Sequence, residues 1–204
     1  MINWIKADNP SAQLIFAHGA GAGMDSEFMV TMAGKLAQLG INVGLFDFEY
    51  MQQAKAEGKK RPPQRAPKLL EYFHKVIANA EPDLPLFIGG KSMGGRMASM
   101  LACDVDVKGV LAFGYPFHPP GKLDKLRIEH FPDLKASLAI IQGERDTFGK
   151  KDEVESYPIC DNVTTYWIPD GDHSLVPRKA SGLTQQQNWQ TAAEFASQFI
   201  AKQL

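Results

Sequence analysis

Cysteine is nearly absent: Cys103 and Cys160 are the only two, far apart and without the spacing of metal ligands. That excludes a disulfide framework and a zinc site, and leaves both as buried small hydrophobes. Net charge is also missing. The formal balance of −1 provides no basic field of the kind a nucleic-acid partner needs. No run of 18 apolar residues occurs, and Met1 to Pro10 lacks a basic region followed by an apolar core. A membrane segment and a secretory leader are therefore not expected, and a cytoplasmic protein is. Internal repeats are missing too. What remains is an ordinary globular composition, 44% hydrophobic and 22% charged, over 204 residues. This is enough for one substantial core, so residues 1–204 are read as a single domain.

Short apolar runs alternate with helical periodicity. Leu14 to His18 reads as a buried strand entering a glycine loop, Gly19-Ala-Gly-Ala-Gly23. Phe28, Met29, Met32, Ala33, Leu36 and Leu39 recur at helical spacing after Asp25 or Ser26. Ile41 to Phe48 reads as the next strand, which begins a βαβ pattern and so a parallel sheet. Leu69, Leu70, Phe73, Val76 and Ile77 predict a second helix. Strands are then predicted at Leu86, at Gly109–Gly114, at Leu138–Gly143 and at Asn162–Ile168, followed by a closing helix through Trp189, Ala196 and Ile200. The pattern gives about six strands in a three-layer α/β/α sandwich. Residues 49–68, basic and proline-bearing, predict a loop. It is a solvated connection or, because it leaves a strand's carboxyl end, a basic rim for an anionic substrate.

Chemistry concentrates at Gly90-Lys-Ser92-Met-Gly94, which fits G-x-S-x-G, a serine on a sharp strand-to-helix turn. A P-loop would need glycine where Pro85 stands, and a dinucleotide fingerprint would need it at Met24. A serine that merely caps a helix is the bland alternative, and the strand-end loops decide against it. Gly143-Glu-Arg-Asp146 and Asp170-Gly-Asp-His173 follow successive strands, giving the chain order Ser92, Asp146, His173. In these roles Ser92 attacks, His173 carries the proton and Asp146 orients the imidazole; Glu144, Asp170 and Asp172 are rival acids. For the oxyanion, Met93 offers the amide after the nucleophile. His18-Gly19-Ala20-Gly21 offers a second, with Ala20 preferred to Gly21. His18, Tyr115 and His118 are placed at the substrate pocket. His18 is expected mainly to hold the oxyanion loop, and His118 is a lesser candidate for a second base. His74 and His130 are read as surface or packing residues.

Leu14 to Gly23, Gly89-Gly-Lys-Ser-Met-Gly-Gly-Arg96 and Gly114-Tyr-Pro-Phe-His-Pro-Pro-Gly-Lys122 together resemble the α/β-hydrolase superfamily, within it the small dienelactone-hydrolase-like group. They are most similar to the branch of small hydrolases sharing a domain with a subunit of a eukaryotic histone-acetyltransferase complex. The resemblance implies a mostly parallel sheet with helices on both faces, the triad Ser92, Asp146 and His173, and no metal or organic cofactor. The chain departs from larger members in two places. The N-terminal antiparallel hairpin should be missing or reduced, and Tyr115 to Lys135 is too short for a large lid. The serine speaks against dienelactone hydrolysis proper, which uses a cysteine. The expectation is a serine hydrolase of a small acyl ester or thioester, and a protein partner or homodimer is allowed. An α/β-hydrolase-like binding or scaffold module with little turnover is the alternative.

Overall fold

The computed structural model describes residues 2–204. In chain order the elements are β1 (Asn3–Ile5), β2 (Ala12–Ala17), α1 (Glu27–Gln38), β3 (Ile41–Phe46), α2 (Glu49–Glu57), α3 (Ala66–Ile77), β4 (Leu86–Lys91), α4 (Met93–Leu101), β5 (Gly109–Phe113), β6 (Leu138–Gly143), α5 (Lys151–Val154), β7 (Val163–Ile168) and α6 (Gln185–Gln203). The strands form one open sheet in the order β1-β3-β2-β4-β5-β6-β7. Every pair is parallel except β1 with β3, where Asn3 faces Leu45.

The sheet is covered on both sides, which is why its strands read as continuous apolar runs and not as alternating ones. Side chains still alternate between the two cores. Leu14 and Phe16 of β2 pack with α1 and α6 through Met29, Leu36, Trp189 and Phe199. Ile15 and Ala17 of the same strand face the other side, with Phe73 of α3 and Met97 and Leu101 of α4. Helix α6 starts on a capping box, in which Thr184 Oγ1 accepts from the Gln187 amide and the Gln187 side chain reaches back to the Thr184 amide.

Three sequence expectations change. Among the described residues there are seven strands and not about six. The extra one is β1, three residues long and too short to show a period; the expected hairpin is reduced to this single antiparallel strand. Residues 49–68 are not all loop. Helix α2 occupies the first half because Tyr50 to Glu57 are good helix formers and the prolines begin only at Pro62. It ends at Gly58 in the left-handed conformation, φ 63°. Cys103 and Cys160 are half-buried, not buried.

The stretch from Tyr115 to Lys135 contains one 3₁₀ turn, Phe131–Asp133. Among the described residues no lid is inserted over the carboxyl edge of the sheet. That edge is where the sheet changes direction, with β2 followed on one side by β3 and on the other by β4. The loops after β2, β4, β6 and β7 therefore converge there.

Candidate active site

Strand β4 ends at Lys91 and helix α4 begins at Met93, so a single residue, Ser92, makes the turn between them. Its backbone sits at φ 50°, ψ −114°, a region that a residue with a side chain adopts only when its surroundings enforce it. The enforcement comes from β2. A Cβ on Gly94 would lie 2.4 Å from the Ala17 carbonyl oxygen, and one on Gly90 2.4 Å from the Gly94 carbonyl carbon. Only glycine lets strand, turn and helix approach so closely. The Ser92 amide donates to the Phe113 carbonyl at 2.9 Å, which ties the turn to β5.

The loops after β6 and β7 bring Asp146 and His173 to this serine. His173 Nε2 lies 2.9 Å from Ser92 Oγ, and Nδ1 lies 2.8 Å from Asp146 Oδ2. Asp146 is fully buried and its oxygens are matched. Oδ1 accepts from the Phe148 amide at 2.9 Å, and Oδ2 also accepts from Gln142 Nε2 at 2.9 Å. Because Asp146 accepts at Nδ1, that nitrogen carries the proton, and Nε2 is left to accept from the serine hydroxyl.

The His173 loop is held from several sides. Phe148 packs its ring against the imidazole, centroids 4.3 Å apart. Lys91 Nζ donates to the His173 carbonyl at 2.6 Å. From α6, Trp189 Nε1 donates to the Ser174 carbonyl and Asn188 Nδ2 to the Leu175 carbonyl. Burial pushes the Lys91 ammonium down to about 8. The rival acids are engaged elsewhere: Glu144 accepts from the Asp170 amide, Asp170 pairs with Arg178, and Asp172 accepts from the Ser174 and Val176 amides.

On the other side of Ser92 runs the loop after β2. Gly19 packs against the turn, where a Cβ on it would sit 3.7 Å from the Ser92 Cβ. Neither the Ala20 nor the Met93 amide, nor that of Gly21, donates to an acceptor among the described residues. As the first residue of α4, Met93 has no intrahelical acceptor. Tyr50 braces this loop from α2, its hydroxyl donating to the Ala20 carbonyl at 3.1 Å. Asp47 accepts from the Met24 amide at 2.8 Å and is itself clamped by Lys55 Nζ at 2.6 Å.

Three expected pocket residues are not in the pocket. His18 is fully buried below the loop, with Nδ1 2.7 Å from the Gly19 carbonyl and Nε2 accepting from the Phe48 amide at 3.1 Å. Burial lowers its pKa, so the ring is neutral and holds the loop as a hydrogen-bonded strut. Tyr115 is fully buried and donates to the Arg127 carbonyl at 2.7 Å. His118 is buried against Glu153, 3.3 Å away, and the Pro119 carbonyl. An apolar strand followed by proline-rich sequence turns both of these side chains inward, so a strand-end position alone misplaced them. His74 is exposed on α3, and His130 packs beside Ser99, Nε2 to Oγ 2.8 Å.

Sequence reasoning also missed residues. Gln142 is the lone polar side chain inside the apolar run of β6, which was a readable signal. Tyr50 and Asp47 gave none, since their partners Ala20 and Met24 lie 30 and 23 residues upstream.

Two cavities open on Ser92. One of about 380 Å³ is lined by Gly21, Phe28, Met29, Phe148 and His173. The other, about 300 Å³, is lined by Met93, Arg96, Met97, Arg127 and Phe148. Phe148 lines both, as do Ala20 and Ser92.

A family model described as an alpha/beta hydrolase domain matches residues 10–201. Solved structures agree with it at the level of fold. A dienelactone hydrolase from Anabaena variabilis superposes with a TM-score of 0.69 at 21% identity, over 95% of this chain and 88% of that one. An α/β serine hydrolase without a lid from Xanthomonas campestris gives 0.67 at 15% identity, over 95% and 84%. An esterase from Pyrococcus furiosus gives 0.68 at 16% identity, over 100% and 90%.

Proposed function

The chain belongs to the α/β-hydrolase domain family, and from that premise we propose that it is a serine hydrolase cleaving a small carboxylic ester or thioester through an acyl-enzyme on Ser92. What carries the reading is the unbroken line from Ser92 Oγ to His173 at 2.9 Å and from His173 to Asp146 at 2.8 Å. Esterases and a dienelactone hydrolase among the similar folds are in keeping with it.

The chemistry follows from the geometry. A serine hydroxyl is a weak nucleophile, so His173 Nε2 takes its proton as Oγ bonds to the substrate carbonyl carbon. The carbonyl π pair moves onto oxygen, and the Met93 and Ala20 amides donate to the resulting oxyanion. Buried Asp146 stabilises the imidazolium without itself taking the proton. Collapse of the tetrahedral intermediate expels the alkoxide or thiolate, which takes the proton from Nε2. Water then repeats the sequence on the acyl-enzyme: it loses a proton to His173, attacks the acyl carbon, and releases the acid while Ser92 regains its hydrogen.

A fluorophosphonate probe tests the reading. The wild-type protein should be labelled at Ser92, and Ser92→Ala should take no label. Equal labelling of both proteins, or none of the wild type, overturns it.

A further inference from the structure

Arg96 and Arg127 line the smaller cavity, within reach of a molecule held at Ser92. Arg96 lies on α4, one turn after the serine; Arg127 comes from the segment that follows β5. Both side chains are half-buried. Among the described residues neither guanidinium makes an ion pair or a side-chain hydrogen bond. Arg96 Nε is buried without a partner among the described residues, and so is Gln64 Oε1, on a residue lining the same cavity.

Such a grouping is costly without a counter-charge. Buried donors left unmatched carry their full desolvation penalty, and two neighbouring cations repel. Burial first, and then the Arg96 charge, holds the Arg127 guanidinium below its ordinary pKa. Burial first, and then the Arg96 charge, also depresses His130. Glu129 acts on Arg127 from a distance, but it is exposed and pairs with neither arginine. Of the basic residues in the neighbouring segment, Lys55 pairs with Asp47 and Asp25 and Arg61 with Glu57, whereas Lys59, Lys60, Arg65 and Lys68 make no ion pair among the described residues but are exposed to solvent. Arg96 and Arg127 are thus two half-buried guanidinium groups without a counter-charge that line the same cavity.

The position of this cavity says which part of a substrate would enter it. His173 must hand its proton to the leaving group, so the leaving group belongs in the cavity that His173 lines. The second cavity is lined by Met93, the oxyanion donor, and not by His173. It receives the acyl chain.

We propose that Arg96 and Arg127 form a carboxylate subsite for the far end of the acyl chain, so that the substrates are hemi-esters or hemi-thioesters of short dicarboxylic acids. This assignment of substrate class rests on the serine-hydrolase reading; the anion site itself does not. Guanidinium groups suit the task because their planar forks match a carboxylate's two oxygens. A cavity of about 300 Å³ has room for a short acyl chain with its terminal carboxylate. The buried Gln64 amide adds a valence that a hydroxyl on the chain could fill.

The test compares monoethyl glutarate with ethyl pentanoate, its uncharged counterpart, by pH-stat. The wild type should favour the hemi-ester in kcat/KM by at least tenfold, mostly through KM. Arg96→Gln and Arg127→Gln should each remove at least tenfold of that preference, and Arg96→Lys should remove less. A wild type that does not favour the hemi-ester, or a preference that survives both glutamine substitutions, overturns the proposal.

Calorimetric titration of free glutarate into Ser92→Ala separates this failure from that of the parent reading. Should the wild type hydrolyse neither ester while Ser92→Ala binds glutarate and Ser92→Ala/Arg96→Gln does not, the anion site stands and the hydrolase reading falls. Turnover of ethyl pentanoate without glutarate binding means the reverse: the hydrolase reading stands and the anion site falls. Absence of both turnover and binding overturns the subsite.

Discussion

The two flanks of Ser92 are built on opposite principles. Towards His173 the polar valences are matched: both nitrogens of His173, both oxygens of Asp146 and both ends of Gln142 have partners inside the protein. Towards Arg96 they are open, with Arg96 Nε and Gln64 Oε1 buried and unpartnered among the described residues. Burial of a fully matched network fixes one arrangement of its members, which is what a proton relay needs. Burial of unmatched groups raises the free energy of the empty protein and lowers it again when a complementary molecule arrives.

Breaking the matched flank should have the largest effect. Asp146→Asn keeps the shape but presents an amide to Nδ1, so the imidazole is held in the wrong tautomer. A fall of about 10⁴-fold in kcat is expected, with little change in KM, read by steady-state kinetics on any ester the wild type accepts.

Gln142→Leu is a milder break. It removes the Nε2 donor to Asp146 and leaves the Tyr115 amide without its acceptor. A hydrogen bond to a charged group is worth about 1.5–3 kcal/mol, so kcat should fall roughly 10- to 100-fold. A kcat within twofold of wild type would mean that Asp146 is oriented without it.

The smallest expected effect lies behind the open flank. Burial, and then the Arg96 charge, depresses His130 to about 4 from an ordinary 6.5. The folded state thus binds fewer protons than the unfolded chain between those values. Stability contributed by the neutral ring is complete above pH 6.5 and is lost as pH falls towards 4. The melting temperature of wild type should therefore decline across that window more steeply than that of His130→Phe. A bound anion that neutralises Arg96 should flatten the wild-type slope.

Much of this was legible in the sequence, and unevenly. The apolar runs at Ala12, Leu86 and Leu138 marked β2, β4 and β6 because strands buried on both faces carry little else. Ser92, Asp146 and His173 were legible because parallel strands deliver their following loops to one edge. The structure brings these three together, and it sets Ala20 and Met93 on the other side of the serine. Tyr115 and His118 were misplaced for the same reason turned around, since a strand-end position names an edge but not the direction in which a side chain points. Arg96 stood in full view within Gly94-Gly-Arg96. Its lack of a partner is a property of Arg127, Gln64 and the space between them, and no spacing in the chain encodes it. Helix α2 was hidden by charge, because lysines and prolines across residues 49–68 outweighed the helix formers at its start.

The backbone of Ser92, held at φ 50° and ψ −114°, has a consequence for heat resistance. A residue kept in so sparsely populated a conformation costs on the order of 1–3 kcal/mol, against a total of about 5–15 kcal/mol that keeps a typical domain folded. The glycines packed around it leave no room to relax. The protein therefore melts earlier than the same architecture would with a relaxed turn. Selection for endurance alone would wear this serine away, so its persistence in a warm environment would require a continuing use for the hydroxyl.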